Sequence, residues 1–272
     1  MIGSYVPAAT VAAHDAIAET LDQDFTYSVT GKAQRDSVWR ELDRCFHPGQ
    51  RVVELECSTG FDTVYLAGRG IEVWACDSSV RMLEAARRRI SSSKLPAPVR
   101  LLPAAEEVSK LQDQGPFDGA FSNFGRLNCI EDMAGVGRCL ASLLRPGARA
   151  VLCMAGTCVA WEIIWFLHHG RYRQAFRRFQ RGPVYVRLVD DMRVACWYPS
   201  VRSLQRAFRP CFRLLHWTGV GVVVPPSYLE GQAKRFPRVM NVLTKMDPWL
   251  GRIPLVRGLA DHLLLTFERV DS

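Results

Sequence analysis

The amino-acid sequence predicts an α/β fold built on a doubly wound, mostly parallel sheet of seven strands. Short apolar stretches alternate with amphipathic helical stretches between residues 51 and 154, which is the pattern of successive βα units. The run Ala-Val-Leu-Cys-Met at 150–154 is apolar at every position, as strands buried on both faces are. At 272 residues, the chain is long enough to bury a substantial core around such a sheet.

The individual elements follow from hydrophobic periodicity and from the positions of glycine and proline. Two helices joined by a polar link come first, at 12–21 and 34–46, and Pro48-Gly49 forms the turn before the first strand. The strands are predicted at 51–55, 71–76, 99–102, 117–122, 148–154, 212–224 and 263–270, and the helices between them at 61–68, 79–91, 131–144 and 201–208.

Composition divides the chain into four segments. Residues 1–50 are predicted to form an N-terminal helical lid, and residues 51–156 a core that binds a cofactor. Residues 157–210, which are rich in Trp and Arg, are expected to form a helical cap over the substrate. Residues 211–272 complete the sheet with C-terminal strands and carry an insertion at 225–258.

Charge is distributed unevenly along the chain. Residues 1–150 contain 17 Lys and Arg against 19 Asp and Glu, whereas residues 151–272 contain 18 against 8. The basic second half suits an acidic substrate, an anionic membrane surface or a solvated arginine face. The aromatic and basic stretch at 161–181 leaves binding at a membrane surface open as a less favoured alternative. Nucleic acid is not an expected partner, because no recognisable binding fold accompanies the basic residues.

Nothing in the sequence predicts export or a membrane span. The first 18 residues lack a basic region followed by an apolar run, and no stretch of 18 uncharged apolar residues occurs. The nine cysteines include no Cys-x2-Cys pair, so no metal site is expected. Cysteines inside apolar strands, such as Cys76 and Cys153, are expected to be small core residues of a cytoplasmic protein.

The segment 52–67 carries the clearest functional signal. An apolar strand runs into a loop of small residues and a helix follows, which is how a nucleotide-type cofactor site opens in a doubly wound domain. Asp77 ends the second strand seventeen residues after Gly60, close to the spacing of an acid that binds ribose hydroxyls. Residues 56–61 do not match the Gly-x-Gly-x-x-Gly pattern of dinucleotide-binding loops.

These features resemble the class I S-adenosylmethionine-dependent methyltransferase family, of the bacterial small-molecule type. The matching segments lie in the family's order between residues 15 and 269, and they include Phe117-Asp118, Ser122-Asn123-Phe124 and Leu144-Arg-Pro-Gly147. The resemblance implies a Rossmann-like fold with S-adenosylmethionine as the cofactor. It also implies methyl transfer to a small acceptor, an apolar or aromatic natural product or metabolite.

The first motif departs from the family's pattern. Glu56 and Ser58 stand where the first two glycines of the loop usually do, and only Gly60 remains. Glycines there permit positive φ and let the backbone approach the ligand. Glu56 brings a negative charge, which would repel the methionine carboxylate or pair with its ammonium group. The departure leaves a second interpretation open, a methyltransferase-fold protein that has lost methyl transfer and acts as a cyclase, an isomerase or a ligand-binding protein.

The resemblance assigns cofactor roles by position. Arg35 is expected to reach the methionine carboxylate, Met82 to form a wall for adenine, and Glu106 to replace a missing acid near the adenine amino group. The implied cofactor contacts are Arg35, Glu54, Glu56, Cys57, Gly60, Asp77, Ser78, Met82, Ala105, Glu106 and Ser122.

The acceptor pocket is expected among aromatic residues of the N-terminal helices and the two insertions. Its predicted members are Phe25, Asn123, Phe124, Asn128, Trp161, Trp165 and Tyr228. A general base assists methyl transfer when the acceptor is a hydroxyl or a protonated amine. The predicted catalytic residues are His168, His169 and Tyr198, with His14 as a further candidate base. His216 and His262 adjoin the late strands and are expected to be structural.

Overall fold

A computed structural model describes residues 6–103, 108–189 and 191–271 of the chain. Its strands are β1 (Arg51–Leu55), β2 (Glu72–Asp77), β3 (Val99–Pro103), β4 (Phe117–Ser122), β5 (Leu144–Ala155), β6 (Val184–Val189), β7 (Met192–Cys196), β8 (Phe212–Val220) and β9 (His262–Arg269). Seven of them form one sheet in the order β3-β2-β1-β4-β5-β9-β8, and β6 pairs with β7 separately. Strands β1 to β5 run parallel, while β9 is antiparallel to both β5 and β8. The predicted Rossmann-like, mostly parallel sheet is confirmed.

Helices cover both faces of the sheet. They are α1 (Ala8–Ile17), α2 (Val29–Cys45), α3 (Phe61–Gly68), α4 (Val80–Ser91), α5 (Val108–Gln114), α6 (Met133–Leu143), α7 (Ala160–His168), α8 (Tyr172–Ala175), α9 (Val201–Phe208), α10 (Glu230–Arg235) and α11 (Pro237–Leu250). No helix among the described residues is long and apolar enough to cross a membrane.

Two apolar clusters hold the helices against the sheet. Val53 and Leu55 of β1 belong to one cluster, together with side chains of α6 and α9. Val52 belongs to the other cluster, with side chains of α2, α3 and α4. Neighbouring residues enter opposite clusters because successive side chains of a strand point to opposite faces. The apolar runs of the sequence therefore identify a sheet that is buried on both sides.

The segment predicted to be a helical cap contains a β-hairpin as well as helices. After α7 and α8, strands β6 and β7 pair antiparallel, and α9 follows. The sequence of β6, Val-Tyr-Val-Arg-Leu-Val, starts with a buried Val184 and an exposed Tyr185, and it alternates with a period of two. A period of two favours a strand. The helical pattern of the preceding residues was extended over this stretch, so the strand was not predicted. The division of the chain into four segments remains a prediction.

The second helix begins five residues before its predicted start. Ser28 caps α2, and its hydroxyl accepts a hydrogen bond from the backbone N–H of Gly31 at 2.9 Å. Thr30 and Gly31 are poor helix formers, which is why the sequence pattern placed the start later. The N-cap serine outweighs their low propensity because it satisfies a backbone donor that the first turn leaves free.

Gly60 fixes the junction between β1 and α3. It precedes α3 with a φ of +73°, in the left-handed region that favours glycine. A Cβ atom at this position would lie 2.8 Å from the Cβ of Ala86 in α4. The glycine therefore lets two helices of the cofactor-binding region pack closely together.

Replacing Gly60 by alanine should lower the free energy of unfolding by about 2–4 kcal/mol, because left-handed strain and the clash with Ala86 add together. Gly147→Ala is the matched control, since Gly147 has a φ of +78° but open space around its Cα. Denaturant unfolding of both variants should give the smaller loss, about 1–2 kcal/mol, for Gly147→Ala. Equal losses would show that the contact with Ala86 has no effect.

Candidate functional site

A cavity of about 490 Å³ opens at the carboxyl edge of β1 and β4. Its walls come from the loop after β1, from α1 and the turn that follows it, from the segment after β4 and from the hairpin β6–β7. The carboxyl edge is where ligands bind in open α/β sheets, and the volume lies in the range of small-molecule sites. Among the described residues, no group of three His, Cys, Asp or Glu side chains is placed to hold a metal ion.

The loop after β1 keeps a glycine-type backbone without the glycines. Glu56 and Ser58 both have a φ of +54°, and Gly60 has a φ of +73°. A left-handed conformation costs a non-glycine residue about 1–2 kcal/mol. The loop thus retains the alternating left-handed turns expected of a glycine-rich motif, and it adds two side chains to the site.

Asp77 anchors this loop through a buried network. Its Oδ2 accepts a hydrogen bond from the backbone N–H of Ser58 at 2.7 Å, and its Oδ1 accepts one from Ser79 at 2.8 Å. The guanidinium of Arg126 donates to both oxygens at 3.2 Å and to Oε2 of Glu56 at 3.0 Å. The side chain of Asp77 is fully buried. The acid that the sequence assigned to ribose is therefore paired with Arg126 in this structure.

Glu56 contributes a carboxyl group to this network, and one of its two oxygen atoms accepts no hydrogen bond from a described residue. Ser78 donates its hydroxyl to Oε2 at 3.0 Å, whereas Oε1 is buried and has no hydrogen-bond partner. Burial, with the negative charge of Asp77 beside it, raises the pKa of Glu56 to about 8 despite Arg126. Burial likewise raises the pKa of Glu54 well above its usual value. The loop end of the cavity can accept a cation.

Arg35 lines the cavity but is already committed to a partner. Its guanidinium lies 2.5 Å from Oδ2 of Asp62, and both side chains are buried. Asp62 also accepts hydrogen bonds from Trp39 Nε1 at 2.7 Å and from Asn123 Nδ2 at 2.9 Å. This network joins α2, α3 and the segment after β4. The contact with Asp62 uses Nη1 of Arg35, and Nε has no hydrogen-bond partner among the described residues, so the guanidinium retains donors for a ligand.

Part of the cavity wall is aromatic. The rings of Phe25 and Phe124 meet edge to face at 4.7 Å, and the ring of His262 packs on Phe124 at 5.3 Å. Tyr198 and aliphatic side chains of the hairpin also belong to the lining, namely Val186, Leu188 and Val194. The guanidinium of Arg35 lies 4.8 Å from the centre of the Phe124 ring, so this wall combines apolar surface with a buried charge.

Comparisons with known proteins place this architecture in a family. A family model described as a methyltransferase domain matches residues 52–147. A demethylmenaquinone methyltransferase of Mycobacterium marinum is 31% identical over 202 residues, which cover 71% of this chain and 81% of the relative. The chain belongs to the class I S-adenosylmethionine-dependent methyltransferase family. The family and cofactor predictions are thereby confirmed.

Other similarities agree with membership of the methyltransferase family. A demethylmenaquinone methyltransferase of Mycobacterium sp. (strain KMS) is 34% identical over 147 residues, which cover 53% of this chain and 58% of that relative's length. The solved structure of a mycolic acid cyclopropane synthase, CmaA1, complexed with SAH and CTAB has a TM-score of 0.62 at 15% identity, covering 98% of this chain and 100% of that one. The structural similarity shows the methyltransferase fold.

The structure brings many of the predicted site residues together. Those that line the cavity are Phe25, Arg35, Glu54, Glu56, Cys57, Asn123, Phe124 and Tyr198. Others lie in or beside the loop without lining the cavity, namely Gly60, Asp77, Ser78, Met82 and Ser122. Ala105, Glu106 and the side chain of Tyr228 lie outside the described residues. The individual roles of all these residues remain predictions.

Four predicted residues of α7 lie away from the cavity. His168 and His169 are exposed at the end of the helix, and Trp161 and Trp165 do not line the cavity either. The buried side chain of α7 is Glu162, which pairs with arginines of the next segment. The helix therefore turns a charged residue inward, and the catalytic role of its histidines and the substrate-binding role of its tryptophans remain predictions.

Asn128 and Tyr198 also differ from their predicted roles. The amide of Asn128 donates to the backbone of Trp197 at 2.6 Å and accepts from Ala155 at 2.8 Å, so it joins two segments and does not line the cavity. Tyr198 does line the cavity, but burial raises its pKa to about 12. A phenol with so high a pKa stays protonated near neutral pH and is a poor general base.

Sequence reasoning missed Asp62, Arg126 and His262. A buried Glu56 requires a cationic partner, and this requirement was the available signal for Arg126. His262 was expected to be structural, yet it lines the cavity. It begins β9, and because β9 runs antiparallel to β5, its first residue pairs with Ala155 at the carboxyl edge. Only the sheet topology reveals that position.

Glu56→Gln should make stability less dependent on pH. The pKa of Glu56 is about 8 in the folded chain against an ordinary value of 4.5, so the folded state holds an extra proton between those values. Stability due to this group is complete below about pH 4.5 and is lost as the pH rises through 8. Between these pH values, this group should lower the free energy of unfolding of the wild type by up to about 1.4 kcal/mol per pH unit. The variant should lack this fall.

Urea unfolding at several pH values between about 5 and 8 measures this effect. Glu84→Gln, which removes an exposed carboxylate on α4, is the control and should follow the wild type. A Glu56→Gln curve parallel to the wild-type curve would contradict the assigned ionisation.

Proposed function

We propose that the chain catalyses methyl transfer from S-adenosylmethionine to a small molecule with an apolar, aromatic ring. The observation that carries the proposal is one cavity that combines acidic groups with an aromatic wall. The left-handed loop presents the unpartnered Oε1 of Glu56, and Phe25 and Phe124 contribute aromatic surface. The acids suit a cationic cofactor, and the aromatic surface suits an apolar acceptor.

The residues at the loop fit the proposed cofactor. Glu56 and Glu54 would receive its ammonium group, since both line the cavity beside the loop. Asp77 stands at the end of β2, where the resemblance puts the ribose hydroxyls. When bound, S-adenosylmethionine supplies a methyl group on a cationic sulfur. A carboxylate lining stabilises such a cation, particularly where burial lowers the local dielectric.

Arg126 has to release or share Asp77 if the ribose of the cofactor binds to that carboxylate. Its guanidinium bonds to both oxygens of Asp77, so ribose hydroxyls must displace it or share the carboxylate. The separate bond to Glu56 gives Arg126 a second anchor. Arg126 can therefore leave Asp77 without becoming an unpaired buried charge, which would cost several kcal/mol.

The chain would position the acceptor through apolar contacts. Phe25, Phe124 and the hairpin side chains line part of the cavity, where they would hold a ring. In-line displacement at a methyl group depends chiefly on such alignment. The relatives from Mycobacterium are named for demethylmenaquinone, and we extend that chemistry to a naphthoquinone-type ring as the acceptor class here.

A second candidate is a methyltransferase-fold protein that binds a ligand without transferring methyl. The contact between Arg126 and Asp77 favours it, because it fills hydrogen-bonding positions that ribose would use. The two candidates differ in cofactor binding and in product formation, and both can be measured.

The wild-type protein should bind S-adenosylhomocysteine in a calorimetric titration and transfer labelled methyl from S-adenosylmethionine to a reduced, demethylated naphthoquinone. Asp77→Asn should weaken S-adenosylhomocysteine binding at least about tenfold, since charge-assisted hydrogen bonds contribute about 1.5–3 kcal/mol. Arg100→Gln, at an exposed residue of β3, serves as the control.

Thermal unfolding checks that each variant is folded. If Asp77→Asn does not fold, the wild-type titration decides alone. Absence of binding at millimolar S-adenosylhomocysteine would overturn the proposal, and binding without transfer to any ring acceptor would favour the second candidate.

A further inference from the structure

We infer that His262, oriented by Asp261, is the general base of the site and that the acceptor is a ring hydroxyl compound, a phenol or a hydroquinone. This inference rests on the proposed methyl transfer. It adds a catalytic residue, a positioning residue and the functional group on which they act.

The position of His262 gives it access to an acceptor. The residue lines the cavity, and its ring packs edge to face on Phe124 in the aromatic wall. Its Nδ1 is buried and lies 3.5 Å from Oδ2 of Asp261, a contact at ion-pair distance in which Nδ1 makes no hydrogen bond to a described residue. The side chain keeps 11% of its surface exposed. A ligand in the cavity therefore meets the imidazole through Nε2.

Asp261 is held in place independently of the histidine. Its Oδ2 accepts a hydrogen bond from Gln34 Nε2 at 3.2 Å, and its backbone bonds to Gly156 and Gly221. A fixed carboxylate beside Nδ1 favours the tautomer with the proton on Nδ1, which leaves the lone pair of Nε2 free to accept a proton.

Burial is the main reason that His262 is neutral. Burial is the main cause that lowers its pKa below the ordinary value; Asp261 acts in the opposite sense, and Arg178 lowers the pKa further. The guanidinium of Arg178 is itself fixed by Glu162 and by the carbonyl of Gly156. A neutral imidazole is the form that can take a proton.

Other titratable side chains in the cavity are less suited to this task. His14 is neutral, with a pKa lowered to about 2 by burial and by Arg126, so it is a weak proton acceptor. Tyr198 holds its proton, because burial raises its pKa to about 12. Glu54 and Glu56 belong to β1 and to the loop that follows it, whereas the ring of His262 packs directly on Phe124. His262 therefore combines a free lone pair with contact to the aromatic wall.

The step balances as a proton transfer followed by displacement. The hydroxyl proton of the acceptor moves to Nε2. The electron pair that remains is shared between the phenolate oxygen and the ring carbon next to the one that carries it. That pair forms the new bond to the methyl carbon, and the pair of the broken carbon–sulfur bond stays on sulfur, which becomes neutral. With oxygen as nucleophile the product is a methyl ether; with carbon, the ring hydrogen leaves to water as a proton. His262 then returns its proton to water.

Steady-state kinetics of full-length His262→Gln, with naphthohydroquinone as the probe acceptor, tests the assignment. We expect kcat to fall about 100-fold or more, the usual size of a general-base contribution, while S-adenosylhomocysteine affinity stays within about twofold. His47→Gln, the same change at an exposed histidine in a turn, is the control. The wild type should lose activity as the pH falls through the pKa of His262, and the variant should lack that limb.

Asp261→Asn separates positioning from structural support. Since Asp261 raises the pKa of His262, its removal should shift the acid limb to lower pH along with a smaller loss of kcat. A merely structural role for Asp261 would change stability and leave the limb unmoved. An unshifted limb would therefore overturn the role given to Asp261.

A spectroscopic titration tests the base without methyl transfer. Para-nitrophenol, whose phenolate has its own visible band, should bind to the wild-type protein with S-adenosylhomocysteine as the phenolate, and to His262→Gln as the neutral phenol. Identical protonation in both, or an activity loss in His168→Gln without one in His262→Gln, would overturn the assignment. A wild type that transfers methyl to no acceptor yet ionises para-nitrophenol through His262 would contradict the proposed function alone.

Discussion

The buried carboxylate of Asp77 is the constraint on which the site depends. It binds the backbone of Ser58 in the loop after β1, the backbone of Ser79 at the start of α4 and the side chain of Arg126 after β4. A fully buried charge is tolerated only with such partners. The three segments that surround the cofactor position are thus fixed to one another by a single side chain.

The same constraint explains how the loop tolerates the loss of two glycines. Ser58 keeps its left-handed backbone conformation because its N–H donates a hydrogen bond to Asp77. Glu56 is also left-handed, and its side chain accepts a hydrogen bond from Arg126. Local strain of this size persists where surrounding contacts determine the conformation. Glu56 places a second acid next to Asp77, and Arg126 bonds to both carboxyl groups. The substitution and the arginine therefore form one unit, separated by seventy residues in sequence.

The sequence predicted features that local patterns encode, and it missed features that depend on long-range contacts. Apolar periodicity located the seven strands of the main sheet but not β6 and β7, and the loop after β1 marked one wall of the cavity. Arg126 and His262 become site residues through strand order and direction, which no local pattern contains. Trp161 and Trp165 were assigned to the cavity by composition alone. Composition does not say which face of a helix points inward, and Glu162 occupies that face.

We propose that Glu56, at the position of a family glycine, would receive the ammonium group of the cofactor. Calorimetric titration with S-adenosylhomocysteine near pH 7, in two buffers of different ionisation enthalpy, measures this directly. With a pKa of about 8, free Glu56 carries a proton, and a bound ammonium group should expel it. The wild type should release up to about one proton from Glu56 on binding, and Glu56→Gln should release correspondingly less, with any remaining release coming from Glu54. Binding without proton release, or equal release from both proteins, would contradict it.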